Sequence, residues 1–479
     1  MRRVQASCLY RNSSLRIRSG RGRTTLALPC PVFLGFVLAL AAYIVYAICL
    51  PARNIQWINV LIYTGSMALV AFSVQDIVKQ GVSVSNVFGS IYFLSLAANN
   101  LNISGLQREK TLLDVYYLMA GPVIFWVIVS IFDRVKIRFS IQKVRVFDPN
   151  TVAKALLLLY VVMKLCIFRR TGIRLLGGTW MHGGFNGANT IGSQYQVGGF
   201  SGIAMCSMWL ALLLIPVVKN RLKIVIGATA LLLDGVFMIS RSAIMMMGIY
   251  FVACFVCAQG NRLLTSKKNV RILCILALLG AAGFTILGNL RQMMRGWGNN
   301  SGQVIANLLQ SSTKNGAVNW LYAYTAFNHD VLLQVHTGVE HPMTMYTVFA
   351  PIARIFGGYA ALADYNDAVF HVSGLRGFNM LPFTGPMVNE MGALYVVQAA
   401  LLGLYVGVLS YVSRVQRAEG FRAFLIMFST LLVCGNNFTT ASYFFVTAGA
   451  FFMFFLVRGP EDIEKGVWIK NEACSQQSA

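Results

Sequence analysis

Apolar runs recur along this chain from about residue 31 to residue 457, separated mostly by short polar connections. A helix that crosses the ~30 Å hydrocarbon layer of a membrane needs about 20 such residues. The pattern predicts about twelve transmembrane helices by that rule, over roughly 31–50, 57–74, 87–103, 112–132, 151–168, 199–218, 222–239, 242–258, 270–288, 393–411, 421–435 and 442–457. The third is the weakest, because SIYFLSLAANN (90–100) turns polar early. The expected fold class is therefore an all-α polytopic membrane protein. Its organisation is a basic tail over 1–30, nine helices over 31–288, one long hydrophilic loop over 289–392, three helices over 393–457 and a tail over 458–479. The two halves do not mirror one another, unlike the inverted repeats of many secondary transporters.

Two connections are long enough to build a site. Residues 169–198 are rich in Gly and Asn, so their backbone can approach a ligand closely. The 289–392 loop holds segments such as NWLYAYTAFNHDVLLQV (319–335) and MTMYTVFAPIARIF (343–356), which predict amphipathic helices lying on or dipping into the membrane. Its charges nearly cancel, with Arg291, Arg295, Lys314, Arg354 and Arg376 against Asp330, Glu340, Asp364, Asp367 and Glu390. Such balance predicts a structured cap rather than a linker.

A chain that is 57% hydrophobic and 12% charged is not a soluble globular domain. The net charge of +24 would suit a nucleic acid, but its distribution argues otherwise. With the N-terminus in the cytoplasm, nearly every Lys- and Arg-rich connection falls on the cytoplasmic side. That is the positive-inside rule, with anionic membrane lipids as the partner of the basic surface and no nucleic acid implied. The first thirty residues contain seven arginines and no acid, and the apolar run after them is long enough to remain as a signal anchor. Of the ten cysteines none lies in the long loop, so no disulfide framework is suggested. Cys254 and Cys257 read as small apolar residues of a helix.

The external arginines break the charge rule, and function is sought there. Arg241 opens the eighth helix at the membrane edge, where it either faces a polar cavity or snorkels to lipid phosphate. Asp234, two turns earlier on the same face, reads as its buried structural partner. Arg291 and Arg295 leave the ninth helix at i,i+4 spacing, so both guanidiniums share a face. The planar fork of arginine binds phosphate bidentately, and two on one face suit a pyrophosphate. Arg376 and His371 lie just before the tenth helix; His371 is a candidate for proton transfer, because histidine as a residue type titrates near neutral pH when unperturbed. His182 is a second histidine of that kind. Glu390, in the sequence NEMG, could serve as a general base, orient an arginine, or be a plain charge at a helix N-terminus. Asp364 and Asp367 form a DxxD that more often caps a helix than binds metal, so no metal site is expected. No Walker A, HExxH or post-strand GxGxxG occurs. No cofactor is expected either, and a reaction must draw on an activated bond of the substrate.

The segments ISRSAIMMMGIY (239–250) and LPFTGPMVNEMGALYVVQAALLGLYVGVL (381–409) resemble the bacterial oligosaccharide repeat-unit polymerases, the Wzy-type O-antigen and exopolysaccharide polymerases. The resemblance covers most of the chain. It implies a GT-C-like fold in the bacterial inner membrane, with a large periplasmic loop and a metal-independent glycosyltransferase site facing the periplasm. The implied donor is a glycan on undecaprenyl pyrophosphate and the acceptor a lipid-linked repeat unit. A chain-length regulator (polysaccharide co-polymerase) is an implied partner. Arg241 matches the family's arginine at the start of a mid-chain helix, and Glu390 its acid before glycine. Arg291, Arg295, Arg376 and His371 rest on chemistry alone. An O-antigen ligase is the nearest alternative, with His371 as its late-loop histidine. A lipid-linked oligosaccharide flippase or other transporter is the alternative of another class, and it would bury charge along a central pathway.

The topology is testable by fusion. Alkaline phosphatase joined near residue 320 should be active and joined near residue 265 inactive; the opposite pattern would place every candidate residue in the wrong compartment.

Overall fold

The computed structural model describes residues 57–101, 103–135, 147–171, 198–236, 241–259, 266–276, 301–313, 315–336, 345–349, 381–435 and 441–457, with the single positions 278, 280, 282, 343 and 438. The described chain is helical, and the only extended pairings among the described residues are two isolated bridges, Ser104 with Ser311 and Phe147 with Val457. The helices are α1 (Trp57–Gln80), α2 (Val84–Asn99), α3 (Leu112–Arg134), α4 (Pro149–Thr171), α5 (Gly198–Leu213), α6 (Asn220–Ala230), α7 (Arg241–Gln259), α8 (Ser301–Leu308), α9 (Gly316–Tyr324), α10 (Asn328–His336), α11 (Thr384–Met391), α12 (Tyr395–Val415), α13 (Glu419–Leu431) and α14 (Ala441–Leu456). A π-helical segment, Leu231–Val236, extends α6.

Four stretches are long and apolar enough to cross a membrane: Trp57–Gln80, Leu112–Arg134, Pro149–Arg169 and Thr384–Val415. Shorter apolar helices cover Gly199–Leu213, Ala243–Gln259 and Tyr443–Met453. The sequence-derived span 31–50 and most of 270–288 lie outside the described residues. Large apolar side chains on the bundle exterior, among them Leu158, Leu165, Phe72 and Phe452, are 60% or more exposed, as a lipid-facing surface requires.

Local signals set the helix starts. Ser83 and Asn86 form a reciprocal capping box on α2, and Thr111 and Asp114 form another on α3. Helix α3 tolerates Pro122 in its interior. The polar end of α2, which made it look a weak span, is polar because Ser95 and Asn99 bond to other segments.

Helix α12 lies along α3, and α1 along α2. Gly403 and Gly407 form a small-xxx-small pair on α12 that lets the two helices approach closely. A Cβ at Gly407 would stand 2.5 Å from a ring carbon of Phe132, and one at Gly403 would stand 3.3 Å from the Phe125 backbone. Helix α13, packed against α2, α5, α7 and α12, occupies the centre, and Phe421, Phe424, Leu425, Met427 and Phe428 are almost wholly buried.

The connectivity gathers a basic cluster at one end of this bundle. The C-terminal ends of α1, α3 and α12 and the N-terminal ends of α6 and α13 carry Lys79, Arg134, Arg414, Arg417, Lys219, Arg221 and Arg422. The opposite end carries residues 99–112 and the short helices α8 to α11.

The close contact makes a stability prediction. Gly407→Val should cost roughly 1–3 kcal/mol by overpacking against Phe132, read as a lowered melting temperature in detergent. Gly248→Ala, where a Cβ meets nothing within 4 Å, should not. Equal effects would contradict the α3–α12 contact.

Candidate functional site

Helices α10 and α11 are too short to span a membrane, and they pack on one another and against α3. Their apolar faces explain the seating: Phe327, Val331, Leu332, Leu333, Phe383, Met387 and Val388 are fully buried. Tyr92 of α2 bridges the two, with its ring centroid 5.2 Å from that of His329 and 5.7 Å from that of Phe383. This burial carries two polar groups inside the protein.

The first centres on Glu390, in the last turn of α11. The chain then turns at Gly392, where φ is 52°, and passes through a 3-10 turn into α12. That break folds Glu390 back onto Gln398, in the first turn of α12, whose Nε2 donates to Oε2 at 2.6 Å. The Thr347 amide donates to both carboxylate oxygens, at 2.9 and 3.1 Å. Thr347 lies in the helical turn 346–349, so the carboxylate sits at the positive end of that turn. The Met343 amide donates to the Glu390 carbonyl at 2.8 Å. Glu390 is fully buried. Its carboxylate therefore clamps the 343–349 segment to the α11–α12 break.

The second group is formed by His329 and Asp330 of α10 with the 99–114 connection. Asp330 Oδ2 accepts from Asn99 Nδ2 at 2.6 Å and Gln107 Nε2 at 2.7 Å. Lys110, only 4% exposed, donates to Asn100 Oδ1 at 3.0 Å. Arg108 pairs with Asp114 at 2.6 Å and donates to the Leu333 carbonyl at 3.2 Å. Two cations and two carboxylates thus balance. Burial pushes the Asp330 carboxyl up and the Lys110 ammonium down, and their mutual attraction opposes both shifts.

The tautomer of His329 follows from its neighbours. The Ser95 hydroxyl donates its proton to the Thr325 carbonyl at 2.9 Å, so at 3.2 Å it accepts from His329 Nε2–H. Nδ1 then carries a bare lone pair, and neither it nor Asp330 Oδ1 bonds to any described residue. Burial, reinforced by the Lys110 charge, lowers the imidazole pKa to about 3. His329 and Asp330 are thus adjacent proton acceptors sealed from water.

Of the sequence-derived site residues, Glu390 is the one whose surroundings are described. It lies at the C-terminal end of a separate short helix, which corrects the option of a charge at the N-terminus of the tenth helix. Among the described residues no guanidinium touches it. Arg241 does open α7, and its side chain lies outside the described part, as do Arg291, Arg295, Arg376, His371, His182, Asp364 and Asp367. Asp234 pairs with Lys164 of α4, a partner the sequence reading, which assigned Arg241, did not name. His329, Arg108, Lys110 and Asp114 were passed over as site residues, although the Thr111-x-x-Asp114 box before an apolar run was a readable sign that this connection is ordered.

The buried neutral histidine predicts an acid-sensitive fold. Between pH 6.5 and about 3 the unfolded chain takes up a proton that the folded imidazole refuses, so stability falls as pH falls through that window. From pH 7 to pH 5 the wild type should lose about 2 kcal/mol more than His329→Gln, measured as the pH dependence of unfolding in detergent. Parallel profiles would show that His329 is not held neutral.

No protein-family model, curated protein or solved structure matches this chain.

Proposed function

We propose that this protein is a polymerase of polyprenyl-pyrophosphate-linked oligosaccharide repeat units, acting at the outer face of a bacterial inner membrane. The observation that carries the reading is the seating of α10 and α11 at one end of an apolar bundle, with Glu390 and the His329–Asp330 group enclosed there. A lipid-linked donor and a sugar acceptor need a polar, protein-lined region directly against the hydrocarbon layer, and this end of the bundle supplies one. The more basic opposite end, facing the cytoplasm as the positive-inside rule expects, supports reading this end as external.

In the proposed reaction an acceptor hydroxyl oxygen attacks the anomeric carbon of the donor glycan. The bond to the pyrophosphate oxygen breaks, and undecaprenyl pyrophosphate leaves with the electron pair. Arg241, with Arg291, Arg295 and Arg376, neutralises the charge developing on the leaving group. A carboxylate or imidazole takes the hydroxyl proton. Glu390 and His371 are the proposed candidates for that step, with Glu390 also positioning the loop. The resemblance stated above supports Arg241 and Glu390 by motif. A ligase delivering the same donor to a different acceptor would use the same groups.

A transporter reading is favoured by one observation: an ion pair between helices, that of buried Lys164 on α4 with half-buried Asp234 on the π segment. Segments of π-helix often occur at functional sites.

Arginine substitution separates these readings. Arg241→Ala should abolish chain growth and Arg241→Lys impair it, since lysine keeps the charge and loses the fork. Loss of charge-assisted contacts to pyrophosphate should cost roughly 2–4 kcal/mol in the transition state, about 30- to 1000-fold in rate. The mutant should accumulate glycans of a single repeat at normal protein levels. Loss of all external glycan would favour the transporter. Normal ladders from both Arg241→Ala and the Arg291/Arg295 double alanine variant would end the pyrophosphate model.

A further inference from the structure

The basic end of the bundle contains a second polar region that the proposed transfer chemistry does not use. The C-terminal ends of α1, α3 and α12 and the N-terminal ends of α2 and α13 enclose a cavity of about 140 Å³. Its chemistry comes from Asp76, Ser83, Asp133, Arg134, Arg414 and Arg422.

Two of these side chains are committed to the fold. Asp133 accepts from the Ser85 amide at 2.9 Å and from the Ser410 hydroxyl at 2.5 Å, tying α3 to the start of α2 and to α12. Arg414 donates to the carbonyls of Phe132, Asp133 and Val135, which are the orphan acceptors at the end of α3. The other two arginines keep capacity. Arg134 pairs with Asp76 through one terminal nitrogen, and its side chain is still 55% exposed. Arg422 donates to the Val82 carbonyl through one nitrogen of a fork that carries five N–H groups. Among the side chains that line the cavity, three guanidiniums stand against two carboxylates, an excess of one positive charge in its wall.

The surroundings say what sort of anion would come. The helices that form the cavity also carry exposed apolar side chains close to it: Phe72 and Val78 on α1 and Ile131 on α3, each between 55% and 60% exposed. Helices α1 and α3 touch one another. The site therefore combines a guanidinium-lined hollow with adjoining lipid-facing surface, at the end of helices long enough to span a membrane.

We propose that this cavity binds the phosphate of a monoanionic phospholipid headgroup, held by Arg134 and Arg422, with its acyl chains along α1 and α3. A single phosphodiester charge matches the excess of one positive charge among the lining side chains. Guanidinium forks bind phosphate oxygens by paired, charge-assisted hydrogen bonds. Free phosphate shares this chemistry, and the apolar flank is what favours the lipid.

The test uses the delipidated full-length protein in detergent, with melting temperature and equilibrium binding as readouts. Dioctanoyl phosphatidylglycerol should bind and stabilise, whereas dioctanoylglycerol, which lacks the phosphate, should not. Arg134→Gln should weaken phosphatidylglycerol binding about tenfold, the loss of one charge-assisted contact, and Arg134→Lys should weaken it less. Arg134 is exposed, so its variants should fold even where Arg422→Gln does not. Equal binding of dioctanoylglycerol, or unchanged affinity in Arg134→Gln, would overturn the proposal. Saturation by inorganic phosphate with no phosphatidylglycerol binding would overturn the lipid and leave soluble phosphate as the ligand.

Discussion

The contact between α3 and α12 is the constraint on which both polar ends of this protein depend. It is close because Gly407 presents no Cβ to the Phe132 ring, and its length carries consequences to both ends. At one end α12 brings Gln398 to Glu390, and Tyr395 donates from its hydroxyl to the Tyr116 carbonyl of α3 at 2.8 Å. At the other it brings Ser410 to Asp133 and Arg414 to the last carbonyls of α3. A slip of one helix along the other would undo both sets of hydrogen bonds together. Close packing supplies the attraction between helices in lipid, where no hydrophobic driving force separates helix from solvent. The polar end groups then fix the register.

Burying charge beside a membrane is costly unless partners are present. The buried carboxylates Asp114, Asp330 and Glu390 have them. Asp114 is both the capping residue of α3 and the partner of Arg108. Asp330 draws on two side-chain amides, and Glu390 on an amide of the backbone and one of a side chain. Removing one member of such a network strands the others without water, which costs more than the pair gains by forming. The loop helices are thereby held to the bundle by polar contacts as well as by their apolar faces.

Much of the architecture was legible in the pattern of apolar runs. Spans over 112–132, 151–168 and 393–411 correspond to α3, α4 and α12 within a few residues, because length and hydropathy are properties of a single helix. Helix α11 falls inside the expected 289–392 loop, because its apolar positions Met387 and Val388 sit in a run too short to span and flanked by Gly and Pro. The site was less legible because it depends on what meets what. Asp234 lies on the same helical face as Arg241, yet its partner is Lys164, more than sixty residues earlier. His329 gave no local signal, and its tautomer is set by Ser95 and Thr325 on other segments. Spacing along a helix reports which side chains share a face and is silent about which helix that face meets.

The same limit bears on how a transfer reaction would be organised. Glu390 is conspicuous in the sequence as an acid before a glycine, and the glycine explains its placement. Gly392 adopts a positive φ that L residues with a side chain rarely hold, and the break it makes points Glu390 away from lipid and into hydrogen bonds with Thr347 and Gln398. A carboxylate with its oxygens so occupied, fully buried, is better suited to holding a loop in place than to meeting a substrate. The 343–349 segment that it holds leads directly into residues 350–380, where Arg354, His371 and Arg376 lie. In the proposed reaction Glu390 would matter by fixing where that stretch begins, so loss of activity in a Glu390 variant would not identify the general base. Only a readout that follows proton transfer, such as the pH dependence of the rate, separates a base from the residue that positions it.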